Sequence, residues 1–305
     1  MKTFLKKFLI VMMITILSLQ GESLRKTGTV GYTFLEIPAL AYQASMGEAV
    51  GTTVEGGALL SLFANPGVLG LQRGWHFGAN YTPWLADIQH NAVGLVIPAG
   101  LLGNFGVSLN VVNFGEMTHT NTDGIILGTY SAQSMALGLT YSRQLTDKFS
   151  WGIRLNGVRE EIYSYHSQNV LVDLGVYYLT GFNSLRFAGY INHFGVDSKF
   201  IRDSFKMPTI LRLGLAYDFF DSPEYRLTVA TELSHSSDNP ERLHFALDQR
   251  FLERFYLRAA YKTSVDEDPW SFGAGLLWGK VQVDASVVPF GRFPAVYSFG
   301  IQVMP

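Results

Sequence analysis

Two pairs of residues in this sequence carry the side chains that acid–base chemistry uses. His119 stands four positions before Asp123, and His166 two positions after Ser164. An imidazole beside a carboxylate or hydroxyl can take up and return a proton near neutral pH. Neither pair sits in a motif that also supplies a nucleophile, a phosphate cradle or a metal. There is no His-Glu-x-x-His, Walker, Gly-x-Ser-x-Gly or dinucleotide fingerprint. The run Asp266-Glu267-Asp268 offers oxygen ligands for weak calcium binding, but such a run is usually only a solvated loop. His90, His193 and His244 fall on segments that could face a lumen, where a satisfied polar role is the simpler account. The chain has no cysteine, so disulfides, thiol catalysis, Cys-ligated zinc and lipidated cysteine are excluded. The sequence therefore predicts a non-enzymatic protein with no catalytic residue, cofactor or metal centre.

The elements around these residues say more. The 305 residues carry a formal net charge of −2, which excludes the basic stripe a nucleic-acid partner requires. Only 16% are charged, while 14% are aromatic; that mix suits membrane-facing β structure better than a helical enzyme. Lys2, Lys6 and Lys7 precede an apolar block from Phe8 to Leu19, and small residues follow at Gly21 and Ser23. This pattern predicts a signal peptide over residues 1–23, because the apolar block is shorter than the ~20 residues a spanning helix needs. No second long apolar run follows, so a membrane location requires strands.

From Arg73 onward, segments of about ten residues alternate apolar and polar, with turn clusters between them. In ILRLGLAYDFF, Leu211, Leu213, Leu215, Tyr217 and Phe219 share one face, and Arg212 and Asp218 share the other. YRLTVATELS sets Arg226 and Glu232 against its apolar face; RLHFALDQRF does the same with Arg242, Asp248 and Arg250. The tally is about fourteen strands over residues 73–305, an even count of the kind outer-membrane barrels use. Connections alternate between tight turns (TGFN, FDSPE, LER, GK) and longer polar loops (GEMTHTNTDGIILGTY, EIYSYHSQN, GVDSKFIRDSFKMP), matching periplasmic and extracellular ends.

A soluble β protein with a wet charged face would show the same alternation. The export signal and the loop rhythm favour the membrane. Lys or Arg facing lipid at the bilayer midplane costs ~2–4 kcal/mol, so the charged face must line the lumen. Antiparallel pairing is then expected to bring Asp218 near Arg226, and Glu232 near Arg212 and Arg242, with Asp248 continuing an interior charge lattice. Trp75, Tyr81, Trp84, Trp151, Tyr177, Tyr178, Trp270 and Trp278 fall near strand ends, where aromatic girdles form.

Residues 24–72 form a Gly- and Ala-rich block too small to fold alone, with a short helix expected around Ala58 to Phe63 and a stop at Asn65-Pro66-Gly67. A fourteen-stranded lumen is too wide for wall side chains to fill, and this block is expected to plug it. Asn65-Pro66-Gly67 would then be the turn that reverses the plug into the first strand; an ordinary periplasmic loop is the alternative.

The stretch TFLEIPALAYQASMGEAVGTTVEGGALLSLFANPGVLGL resembles the N-terminal signature of the PorV/PorQ family, with an aliphatic-Pro step, a Met-Gly pair and an Asn-Pro turn in order. SRQLTDKFSWGIRLN, MPTILRLGLAYDF and LSHSSDNPERLHFALDQRF resemble that family's later strands. It departs at Gly67, where members usually have Ala, and at the C-terminus, which lacks a terminal aromatic. The resemblance implies an all-β, FadL-like transmembrane antiparallel barrel with an N-terminal plug, set among bacterial outer-membrane lipids. It also implies assistance to type IX protein secretion, with secretion-system components or cargo bearing a C-terminal sorting domain as partners. FadL-like transport of a hydrophobic small molecule is the alternative.

Overall fold

The computed structural model describes residues 28–265 and 268–304. The expected signal peptide, residues 1–23, and the acidic residues Asp266 and Glu267 lie outside the described residues.

Among the described residues, fourteen strands close into one antiparallel barrel. In chain order they are β1 (His76–Pro83), β2 (Gln89–Pro98), β3 (Asn104–Thr120), β4 (Ile126–Gln144), β5 (Phe149–Ile162), β6 (Tyr165–Leu179) and β7 (Arg186–Phe194). A small separate hairpin of β8 (Ser198–Phe200) and β9 (Asp203–Phe205) follows. The wall resumes with β10 (Ile210–Asp221), β11 (Tyr225–Ser236), β12 (Arg242–Phe251), β13 (Phe255–Lys262), β14 (Trp270–Trp278), β15 (Val281–Phe290) and β16 (Phe293–Val303). Each wall strand pairs with its neighbour, β7 joins β10 directly, and β1 pairs with β16 to leave no open edge.

The alternation resolves as a membrane barrel. On β10, Leu211, Leu213 and Leu215 are 46, 44 and 40% exposed on the outside, whereas Arg212 is 8% exposed and inside. Ala216, Ala230, Ala246 and Ala260 also point inward, where the wall packs against buried chain. A closed cylinder with apolar residues outside and charges inside is stable only where its exterior meets lipid. Of the expected girdle residues, Trp75, Trp270, Trp278 and Tyr178 are exposed, but Tyr177 is buried because it occupies the inward position of the pair.

Three segments expected as loops are structured differently. GEMTHTNTDGIILGTY is largely strand, since β3 runs to Thr120 and β4 starts at Ile126. EIYSYHSQN is strand except for the turn at Tyr163 and Ser164. The sequence conceals both, because these extensions project beyond the rim and are wet on both faces, which removes the alternation. GVDSKFIRDSFKMP holds the β8–β9 hairpin, which folds back over the mouth. Gly31 N donates to Lys206 O (3.1 Å), and Val30 forms a parallel bridge with Lys206.

The lumen contains the chain from Gly28 to Leu71. Its regular parts are 3-10 turns at Thr33–Glu36 and Pro66–Leu71 and two short helices, α1 (Ala41–Ser45) and α2 (Ala58–Phe63). α2 occupies the span expected from sequence; α1 was not foreseen. Leu59 and Leu62 of α2 are buried against inward glycines of the wall, Gly78, Gly94 and Gly106. Burying one such leucine stabilises by about 1.5–3 kcal/mol.

Candidate functional site

The chain inside the lumen, and the wall it touches, make up the candidate site. Asn65-Pro66-Gly67 is a seat. Asn65 caps its own turn, accepting from Gly67 N (2.9 Å) and donating through Nδ2 to Gly51 O (2.8 Å) and to Val176 O of β6 (3.1 Å). Beneath it, Gly152 of β5 and Gly175 of β6 stand directly opposite one another in register. A Cβ on either would meet Asn65 or Pro66, so the flat glycine pair is what admits the turn. The expected reversal into the first strand happens later. The 3-10 turn Pro66–Leu71 first crosses β6, β5 and β4, and β1 begins only at His76.

The six residues expected to form a lumen lattice all point inward, but most of their partners differ from those expected. Arg212 does reach Glu232 (3.3 Å), and its other nitrogen holds Glu48 of the inner segment (2.7 Å). Glu232 also accepts from Tyr190 Oη (2.5 Å) and Gly51 N (3.0 Å). Asp218 is paired bidentately by Arg186 of β7 (2.7 and 2.9 Å) rather than by Arg226. Arg226 instead binds Asp221 (2.7 Å) and Glu55 of the inner segment. Arg242 donates to Asn239 (3.0 Å), not to Glu232, because its register partner is Ser234. Asp248 accepts from Tyr42 Oη (2.7 Å) and lies 3.3 Å from Arg258 Nε.

The unexpected partners of Arg212, Arg226 and Asp248 share one cause. Sequence pairing considers wall strands alone, whereas Glu48, Glu55 and Tyr42 enter from the inner segment and compete for the same partners. Burial opposes ionisation of Glu48, yet Lys262 and Arg212 together hold its carboxyl below the usual carboxylate range.

A second buried cluster ties α2 to the wall. Asp173 of β6 accepts from Arg154 Nε (2.5 Å), Asn156 Nδ2 (2.9 Å) and the backbone N of His193 (2.5 Å). Arg154 reaches the carbonyl of Leu62, and Asn192 Nδ2 donates to Ala64 O (2.9 Å). These donors satisfy carbonyls that the end of α2 leaves unpaired. At the same place the β6–β7 register slips between Val172 and Leu174, and His193 has φ +60°. Asp173 thus satisfies an amide at a bulge in the wall. Asp173, which the sequence does not single out, is joined at this bulge to His193, one of the histidines expected to face the lumen. His119 packs among Tyr130 and Tyr163 on the projecting sheet, with ring centroids 6.1 and 5.3 Å away.

Above this level lies a separate apolar cluster. Tyr32, Phe34, Val112, Ala136, Val158, Leu171 and Met207 form a buried cluster against Leu35, Ile88, Phe114 and Phe205. Tyr32 Oη bonds Ser167 (2.8 Å) and Ser198 (3.2 Å), joining the inner segment, β6 and the β8–β9 hairpin across the mouth. At the opposite end, near the tight turns, a cavity of about 410 Å³ is lined by Tyr42, Glu55, Tyr177, Arg226, Arg250 and Tyr256, among others.

No protein-family model matches the chain, and no curated protein matches it. Solved structures do. The toluene transporter TodX of Pseudomonas putida superposes with a TM-score of 0.61 at 13% identity, covering 85% of this chain and 96% of that one. The toluene transporter TbuX of Ralstonia pickettii gives 0.59 at 12%, covering 87% and 98%. A FadL homologue of Pseudomonas aeruginosa gives 0.58 at 11%, covering 88% and 99%. The chain therefore has the fold of the FadL-type outer-membrane barrels.

Proposed function

We propose that the chain is a FadL-type channel of the bacterial outer membrane that admits hydrophobic small molecules and is closed at rest by its own N-terminal plug, residues 24–72. The observation that carries this reading is the apolar cluster in the outer part of the lumen. Val112 of β3, Val158 of β5 and Leu171 of β6 point inward where a merely structural or water-filled barrel would place polar residues. The side chains filling that chamber, Phe34 and Met207 among them, belong to the plug and to the segment after the β8–β9 hairpin, elements that are not part of the wall. The bulge at Asn192–His193 lies beside the chamber and interrupts the β6–β7 ladder, a suitable place for lateral exit. The similarity to transporters of toluene supports the same substrate class.

The test is uptake of radiolabelled toluene by cells that express this chain and lack other hydrocarbon channels. Uptake should rise with expression and fall at least about tenfold in Val158→Asp, which places a charge in the chamber. Uptake equal to the empty-vector strain would overturn the reading. The secretion-assisting role rests on the motif resemblance, N-terminal and downstream, alone. Retention of a C-terminal sorting domain in a pulldown, together with no toluene uptake, would put that role first.

A further inference from the structure

We propose that Arg226 and Arg250 form an anion site, held in this structure by Glu55 of the plug, that takes the carboxylate of a small aromatic acid arriving from the periplasmic side. The two arginines are direct cross-strand partners on β11 and β12. Like charges in that position repel, so the pair calls for a shared anion. Glu55 supplies one: a single oxygen, Oε2, accepts from Arg226 Nη1 and from Arg250 Nη1 (2.6 Å).

The resident carboxylate is exchangeable. The Glu55 side chain is 56% exposed, and ion pairs open to water contribute little to stability. Asp147 also lines the cavity, and two neighbouring charges are committed elsewhere. Arg186 is spent on Asp218, and Asp248 is turned to Tyr42 and Arg258. Asp221 fixes the Nε edge of Arg226 and neutralises one of the two positive charges. Displacing Glu55 would leave Arg250 without its carboxylate partner and Arg226 with Asp221 alone, free to take one monoanion.

The body of the ligand follows from the cavity. Its volume of about 410 Å³ exceeds a benzene ring, and Tyr42, Tyr177 and Tyr256 line it with Met46 and Val54. Tyrosine side chains beside paired guanidinium groups suit an aromatic ring carrying a carboxylate. The site is independent of the transport reading, since neutral hydrocarbon traffic calls for no arginine pair and a barrel without traffic would still bind the acid.

The experiment is fluorine NMR titration of the purified full chain in micelles with 4-fluorobenzoate, and with 4-fluorobenzamide as the neutral control. The native chain should bind the acid and not the amide. Glu55→Gln, which removes the competing carboxylate, should bind it at least about tenfold tighter, and Arg250→Gln at least about tenfold more weakly. A heat-modifiable gel shift verifies that each variant is folded. Should Glu55→Gln not fold, the comparison of native chain with Arg250→Gln decides. Equal affinity for acid and amide, or affinity unchanged by Arg250→Gln, overturns the proposal. Failure of toluene uptake has no bearing on these outcomes.

Discussion

Replacing Arg212 by Met should loosen the plug more than any other single wall substitution. The guanidinium holds Glu48 of the plug at 2.7 Å and Glu232 of β11 at 3.3 Å, and all three side chains are at most 10% exposed. Breaking a buried ion pair by deleting one partner typically costs about 3–5 kcal/mol, because the remaining charge stays buried. Here the orphans keep other partners: Lys262 lies 3.2 Å from Glu48, and Tyr190 and Gly51 still donate to Glu232. The lower figure, about 3 kcal/mol, is therefore expected. Because the chain has no cysteine, a single Ser61→Cys on α2, at a buried position, reports plug opening through its maleimide labelling rate. At 1.4 kcal/mol per tenfold, labelling should accelerate by roughly 100-fold in Arg212→Met while the barrel remains folded. Adding Glu48→Gln should recover part of this, since the two sites share one network. Acceleration below about threefold, with the gel shift intact, would refute the idea that this arginine fastens the plug.

Gly67→Ala should lower the heat-denaturation midpoint in micelles, because the added Cβ would stand 2.7 Å from Gly175 O and 2.9 Å from the Val176 Cα, backbone atoms that cannot rotate away. Overpacking of that kind costs typically 1–3 kcal/mol; an unchanged midpoint would mean the seat is loose. Leu213→Arg, on the lipid side of β10, should destabilise the barrel by about 2–4 kcal/mol in bilayer refolding assays, and a neutral outcome would overturn the inside–outside assignment of the wall. Burial, then Asp238 and Glu48, lift the Glu36 carboxyl to about 7 from an ordinary value of 4.5. A folded pKa raised above the unfolded one stabilises fully below pH 4.5 and loses that contribution as pH rises through 7. Labelling of an Ala39→Cys reporter, relative to unfolded chain at the same pH, should thus be slower at pH 5 than at pH 8, and Glu36→Gln should abolish the difference.

The wall was legible in the sequence because it is written in period two: each strand has one face in lipid and one in the lumen, so Leu211, Leu213 and Leu215 announce their side. The same code fails where both faces share a solvent, which is why β3 and β4 were read as ending about seven and five residues short of Thr120 and Ile126. It fails again for the β8–β9 hairpin, whose strands are three residues long and whose inward course depends on contacts with Tyr32 and Gly31. Ion pairing was legible only within neighbouring strands. Arg212–Glu232 is of that kind, but Arg226–Glu55 joins residues 171 apart in sequence, and no local pattern encodes it. A usable signal was present all the same: Gly152 and Gly175 fall at inward positions of β5 and β6, and facing glycines in a strand pair mark a place where another backbone comes close.

The plug and the wall are specified together. Strands β10 to β13 present Arg212, Arg226, Arg250, Arg258 and Lys262 to the lumen, and the wall's own carboxylates do not satisfy all of them. Arg258 is met by Asp248 and Asp284 and Arg226 by Asp221, but Arg226 and Arg250 face each other, and among the described residues Lys262 pairs with the plug's Glu48. Glu48 and Glu55 supply the missing charge at two heights, one buried and held by Arg212 and Lys262, one exposed and held by Arg226 and Arg250. Desolvation strengthens the first contact and screening weakens the second. The plug is therefore fastened unevenly, firm at mid-lumen and replaceable at the periplasmic end. Movement that opens the barrel should begin at Glu55 and stop at Arg212, unless that arginine is removed.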